Sequence, residues 1–233
     1  MKSKIYLKGM VAIAFSIAFM SCQKEKETET LAQEKQSSET SASKVAPDNI
    51  EVITFAIEDA DGNVPTESQT LLYENALHNP VLAPDGHQVT FGEWSAATGT
   101  ASVGCIQSGT HVTLHLRNLI PNGVYTAWTL VLKAPGYDGT EASLTDNVIG
   151  VGSLGLNDGS QNVFHASTNG TGQISRTVLG GNLSLFGSAG NCLLTDEFEF
   201  QFVILYHINQ MTYGPMPGPD GVKAEQLRFD YKN

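Results

Sequence analysis

The chain has 233 residues, with 13 Lys and Arg against 24 Asp and Glu, for a formal net charge of −11. Phosphate backbones and anionic lipid surfaces repel such a protein, which argues against nucleic acid as a partner. Its 23 glycines suit a turn-dense β protein better than a helical one.

Lys2, Lys4 and Lys8 precede an apolar stretch over residues 10–20, then the small residue Ser21, then Cys22. This is the layout of a cleaved secretory signal. The stretch is too short to span a bilayer, which takes about 20 apolar residues. Phe19-Met20-Ser21-Cys22 resembles the lipid-attachment site of bacterial lipoproteins, with Phe19 where Leu is usual. The resemblance implies a signal peptide over residues 1–21, acyl chains on Cys22, and an address in the cell envelope at the outer membrane. An ordinary cleaved signal with an incidental cysteine is the alternative. Cleavage removes three lysines and no acid, moving the formal charge from −11 to −14.

Residues 22–48 read as a lipidated cysteine followed by a tether. Beyond Cys22, Leu31 and Val45 are the only large apolar residues there. The segment cannot bury enough surface to offset its ordering entropy, which predicts disorder. Lys24, Glu25, Lys26, Glu27 and Glu29 resemble the charged export tag of surface-exposed lipoproteins in some Gram-negative bacteria; a plain solvated linker is the alternative.

Residues 49–233 read as a single domain with an apolar period of two. Val112, Leu114 and Leu116 point one way from residues 110–116, and His111, Thr113, His115 and Arg117 the other. In residues 197–208, Phe198, Phe200, Phe202, Ile204, Tyr206 and Ile208 share a face opposite Glu199, Gln201 and His207. Val203 and Leu205 make the end of that strand apolar on both sides, as in a covered strand. Further strands are expected at 51–58, 88–94, 100–106, 123–133, 162–168, 172–179 and 225–231. Residues 69–78 are the one segment expected as a short helix. About nine antiparallel strands with Gly-rich turns make a β-sandwich or a flattened barrel.

With Cys22 assigned to lipid, Cys105 and Cys192 are expected to pair in an oxidising compartment; two buried free thiols are the alternative. Closing so long a loop stabilises the fold by about 4 to 5 kcal/mol. Residues 109–128 (GTHVTLHLRNLIPNGVYTAW), 150–164 (GVGSLGLNDGSQNVF) and 213–221 (YGPMPGPDG) resemble a group of extracytoplasmic bacterial β-sandwich proteins. That likeness covers most of residues 85–231. It implies fold and compartment and carries no site residue.

His111 and His115 lie about 13 Å apart along a strand at ~3.3 Å per residue, too far to share an ion. A cross-strand site would need His115 with His207 or His165, plus Glu199; surface histidines are the ordinary reading. Cys192, His207 and Met211 follow blue-copper order, but the long separation and the expected disulfide oppose it. The Gly150-Val-Gly-Ser-Leu-Gly155 stretch matches a dinucleotide pattern, yet a turn follows it where a helix is required. Ser153 and Ser188 lack the upstream Gly of a nucleophile elbow. Asp196, Glu197 and Glu199 could act as acids, although a solvated strand face explains them. Asp59, Asp61 and Asn63 could offer oxygen ligands to calcium but lack a complete loop signature, and a simple turn is the favoured reading. No metal or other cofactor is expected.

Among Trp94, Trp128, Tyr125, Tyr137 and Tyr213, the loop residues Tyr137 and Tyr213 are the ligand-contact candidates. The leading expectation is a lipid-anchored envelope protein that binds a glycan or envelope partner without catalysis. An extracellular polymer-degrading enzyme using Glu199, His115 and His207 is the second reading. A structural envelope lipoprotein is the third.

Overall fold

The computed structural model describes residues 43–44, 46–133, 148–195 and 198–232. Cys22, the stretch expected as signal and tether through residue 42, Tyr137, Asp196 and Glu197 lie outside the described residues. The period-two pattern is realised as strands in two large antiparallel sheets, beside a two-stranded pairing of residues 57–58 with 73–74. In chain order the elements are β1 (Ser43–Lys44), β2 (Asn49–Val52), β3 (Ile57–Glu58), β4 (Tyr73–Glu74), α1 (Phe91–Ser95), β5 (Thr98–Ile106), β6 (Gly109–Arg117) and β7 (Val124–Lys133). There follow β8 (Val148–Ser153), β9 (Val163–His165), β10 (Gly172–Leu179), β11 (Gly181–Asn182), β12 (Phe186–Ala189), β13 (Phe198–His207) and β14 (Lys223–Tyr231).

One sheet has the order β1-β5-β6-β10 and the other β11-β12-β8-β7-β13-β14-β2, with β9 also paired to β7. Neither closes into a barrel, so of the two expected architectures the sandwich is the one formed. Ala101, Val112, Leu114 and Ile174 from the first sheet meet Phe202, Ile204, Leu227 and Phe229 from the second in one core. Each such side chain, fully buried, contributes about 1.5 to 3 kcal/mol.

Tyr125, fully buried at the start of β7, ties the core together. Its hydroxyl accepts from the Ile120 N–H at 2.8 Å and donates to Gln226 Oε1 at 3.0 Å. Gln226 Nε2 in turn donates to the Trp94 carbonyl at 3.2 Å. A tyrosine bonded back to the turn before its strand is the corner device of Greek-key sandwiches. Gly123 in that turn has no room for a side chain, because a Cβ would lie 2.8 Å from the Tyr206 ring and 3.0 Å from that of Tyr125.

Cys105 and Cys192 are bonded, with Cα atoms 5.2 Å apart and a sequence separation of 87. The bridge joins β5 to the segment after β12, where the Leu193 N–H donates to Thr110 Oγ1 at 2.8 Å.

Several expected elements differ. Residues 69–78 form no helix, because Tyr73–Glu74 pairs with β3. The Glu74 carboxylate, buried, accepts from the N–H groups of Ala76, Leu77 and Asn79 at 2.9 to 3.0 Å and so closes a turn. The helix lies instead within the strand expected at 88–94. Thr90 and Glu93 form a capping box that starts it, satisfying N–H groups a helix end leaves open. The strand expected at 51–58 breaks into β2 and β3. The glycines of β8 allow close packing: a Cβ on Gly150 or Gly152 would lie 2.7 or 2.9 Å from Leu183. Ser43–Lys44, within the stretch expected as tether, pairs with β5.

Candidate functional site

Alternation along β6 turns Val112, Leu114 and Leu116 into the core and leaves His111, Thr113, His115 and Arg117 outside. Registers with β5 and β10 extend these into cross-strand rows. Thr100, His115 and Gln173 form one row, Ser102, Thr113 and Ser175 the next, and Gly104, His111 and Thr177 the third. The His111 ring lies between Thr177 Oγ1 at 3.1 Å and Ser175 Oγ at 3.0 Å. Thr113 and Ser175 share a hydroxyl contact of 2.8 Å. The result is an outer face of hydroxyls and imidazoles.

Two concavities adjoin on this face. One, about 460 Å³, is lined by Thr100, His115, Arg117, His165, Thr171 and Gln173. The other, about 470 Å³, is lined by Ala46, Pro47, Ile50, Ala101 and Ser102 and shares Thr100 and His115 with the first. One half is polar and the other apolar. Among the described residues, no carboxylate lines either.

The outer face of the larger sheet is different. Trp128, Leu130, Val151, Val203 and Leu205 surround a smaller cavity of about 220 Å³. At its edge Arg228 Nε donates to Glu225 Oε1 at 2.8 Å, and the guanidinium lies 5.3 Å from the centre of the Phe55 ring. Trp128 is only 4% exposed and its Nε1–H donates to Thr126 Oγ1 at 2.8 Å. The same hydroxyl bonds His207 Nε2 at 2.8 Å. Burial, aided by the Lys223 charge, brings the His207 pKa down to about 4. Tyr213 sits beside this group with its ring centre 6.3 Å from that of His207. Its hydroxyl accepts from Asn209 Nδ2 at 2.7 Å, and a Cβ on Gly218 would lie 2.6 Å from its ring. Both ring and hydroxyl are therefore engaged in shaping the 209–222 loop.

The expected combination of His115, His207 and Glu199 does not assemble. Glu199 and His207 occupy outward positions of β13 eight residues apart, which is about 26 Å at ~3.3 Å per residue. His115 lies on the outer face of the opposite sheet. Of the partners weighed for His115, His165 is the one that lines the same concavity. Sequence reasoning passed over the third member of that concavity, Arg117, which stands two residues beyond His115 on the same side of the strand. Among the described residues, no three His, Cys, Asp or Glu side chains converge on a position for a metal ion. Cys192 is in the disulfide, and the G-x-G-x-x-G stretch runs along β8 into a turn. Asp59 accepts from the N–H groups of Asp61 and Asn63, both at 2.9 Å, as a turn residue does.

No protein-family model matches the chain, and no curated protein matches it.

Proposed function

We propose that this chain is a lipid-anchored protein of the bacterial cell envelope, and that its sandwich is a non-catalytic module that binds a glycan. The ligand lies on the outer face of the four-stranded sheet. One observation carries this reading: a polar and an apolar concavity adjoin there and share Thr100 and His115. A sugar ring has the matching duality, with hydroxyls at its edge and C–H groups on its faces. Hydrolysis of a glycosidic bond ordinarily uses a pair of carboxyl groups, and none lines either concavity among the described residues.

The Cys105–Cys192 bond supports an extracytoplasmic address, since disulfides persist in oxidising compartments. Acyl chains on Cys22 would hold the protein at the outer membrane, each buried methylene contributing about 0.8 kcal/mol. Cys22→Ala is expected to release the protein from membranes, and continued tight association would contradict the anchor.

The binding reading is tested by incubating the purified protein with a panel of envelope and extracellular polysaccharides. Mass spectrometry then follows both retained polymer and new fragments. Retention without fragments is expected. New fragments would make the protein an enzyme, and neither retention nor fragments would replace the glycan with a protein partner.

A further inference from the structure

We infer that the concavity of His115, Arg117 and His165 is an anion subsite, and that the ligand is an acidic polysaccharide whose carboxylate or sulfate groups dock there. The inference rests on the glycan reading and names the ligand's chemistry.

The first observation is where acid is missing. The chain has 24 Asp and Glu, yet not one lies in β1, β5, β6 or β10. The outward positions of the same four strands hold His111, His115 and Arg117, while Lys44 and Arg176 stand opposite the inward Val103 and Val112. On a protein that repels anions overall, this sheet is a local exception. Fixed charges elsewhere reach it weakly, because salt screens exposed charges over about 10 Å at 0.1 M.

The second observation is the state of Arg117. Lys44, Lys223 and Arg228 each hold a carboxylate, and Arg176 donates to the carbonyls of Gln161 and Ser175. Arg117 is exposed and makes no hydrogen bond or ion pair among the described residues. Its fork of donors matches the spacing of carboxylate or sulfate oxygens. His115 and His165, also exposed, add ring N–H donors from β6 and β9. The hydroxyls of Thr100 and Thr171 and the Gln173 amide complete a rim rich in donors.

The same geometry decides against a metal ion. Two imidazoles alone do not make a metal site, which ordinarily takes three or four ligands, and the guanidinium beside them repels a dication. It also favours a polysaccharide over DNA. Duplex DNA carries a charge about every 1.7 Å, and one arginine on an acidic protein cannot offset that density. A polysaccharide with one acidic group per repeat unit asks for one such subsite and offers sugar faces to the apolar concavity next to it.

The test measures retention of polygalacturonate, dextran sulfate, neutral dextran and duplex DNA by the full chain, for wild type, Arg117→Gln and Lys133→Gln. Lys133 lies at the end of β7 in the other sheet and serves as the charge-matched control. Retention of polygalacturonate or dextran sulfate is expected, with dextran and DNA left free. The polymer retained distinguishes carboxylate from sulfate. Arg117→Gln should weaken that binding about tenfold or more, the value of a charged hydrogen bond, while Lys133→Gln leaves it unchanged. Thermal midpoints of both variants should stay at the wild-type value. Dextran bound as tightly as the acidic polymers would overturn the anion subsite and leave the glycan module standing. Equal weakening by the two variants would overturn the assignment to Arg117, and binding of DNA would overturn the choice of polysaccharide. Retention of none of the polymers would overturn both inference and glycan reading.

Discussion

On the four-stranded sheet His111, His115 and Arg117 stand in solvent, whereas on the larger sheet Glu199, Gln201, His207 and Arg228 are buried. All seven occupy outward positions of strands with the same apolar alternation. What separates them is coverage. The exposed polar groups keep their hydration and stay available to a ligand, while the buried ones lose water and must be satisfied within the protein. Asp230 shows the cost: burial, with the nearby Glu51 carboxylate, raises its pKa despite the Arg228 guanidinium. One face is open to solvent and the other is packed.

The contrast can be broken first at the link between the sheets. Cys105→Ala/Cys192→Ala is expected to lower unfolding free energy by about 4 kcal/mol, from the loop the bridge closes. Urea titration of the oxidised wild type and the variant measures it. Trp128→Ala, on the dry face, should cost about 3 to 5 kcal/mol through cavity formation and lost transfer energy. The same titration should find His115→Ala, on the wet face, within about 0.5 kcal/mol of wild type.

pH sharpens the contrast further. His207 takes its proton at about 4 in the folded protein and at ~6.5 in the unfolded chain. Its contribution is therefore intact above pH ~6.5, declines as the pH falls toward 4, and levels off below. The loss amounts to about 3 kcal/mol at most. Urea midpoints at pH 7.5 and 4.5 should show that step in wild type, and His207→Gln should reduce it.

Much of this sandwich was legible as alternation. Residues 110–116, 123–133, 172–179 and 225–231 pair as expected, because inward Val, Leu and Phe at every second position leave a strand one orientation. Alternation does not say which outward face stays wet. Glu199 reads as part of a solvated strand face, yet it and its neighbour on that face, Gln201, are 4% and 1% exposed, since burial depends on what packs across a sheet. Residues 69–78 were misread because Glu74, a good helix former, here closes a turn with its carboxylate. In the candidate site, His115 and His165 were legible as a possible pair. Arg117 was not, because its signal is an absence of acid spread over strands that only the fold brings together.

The most direct test of the two faces is histidine footprinting with diethylpyrocarbonate, with and without polygalacturonate, read by mass spectrometry. The account predicts that His115 and His165 are modified in the free protein and protected by the polymer, while His207 stays unmodified in both. Equal modification of His115 and His165 with polymer bound, or a reactive His207 that the polymer protects, would contradict it.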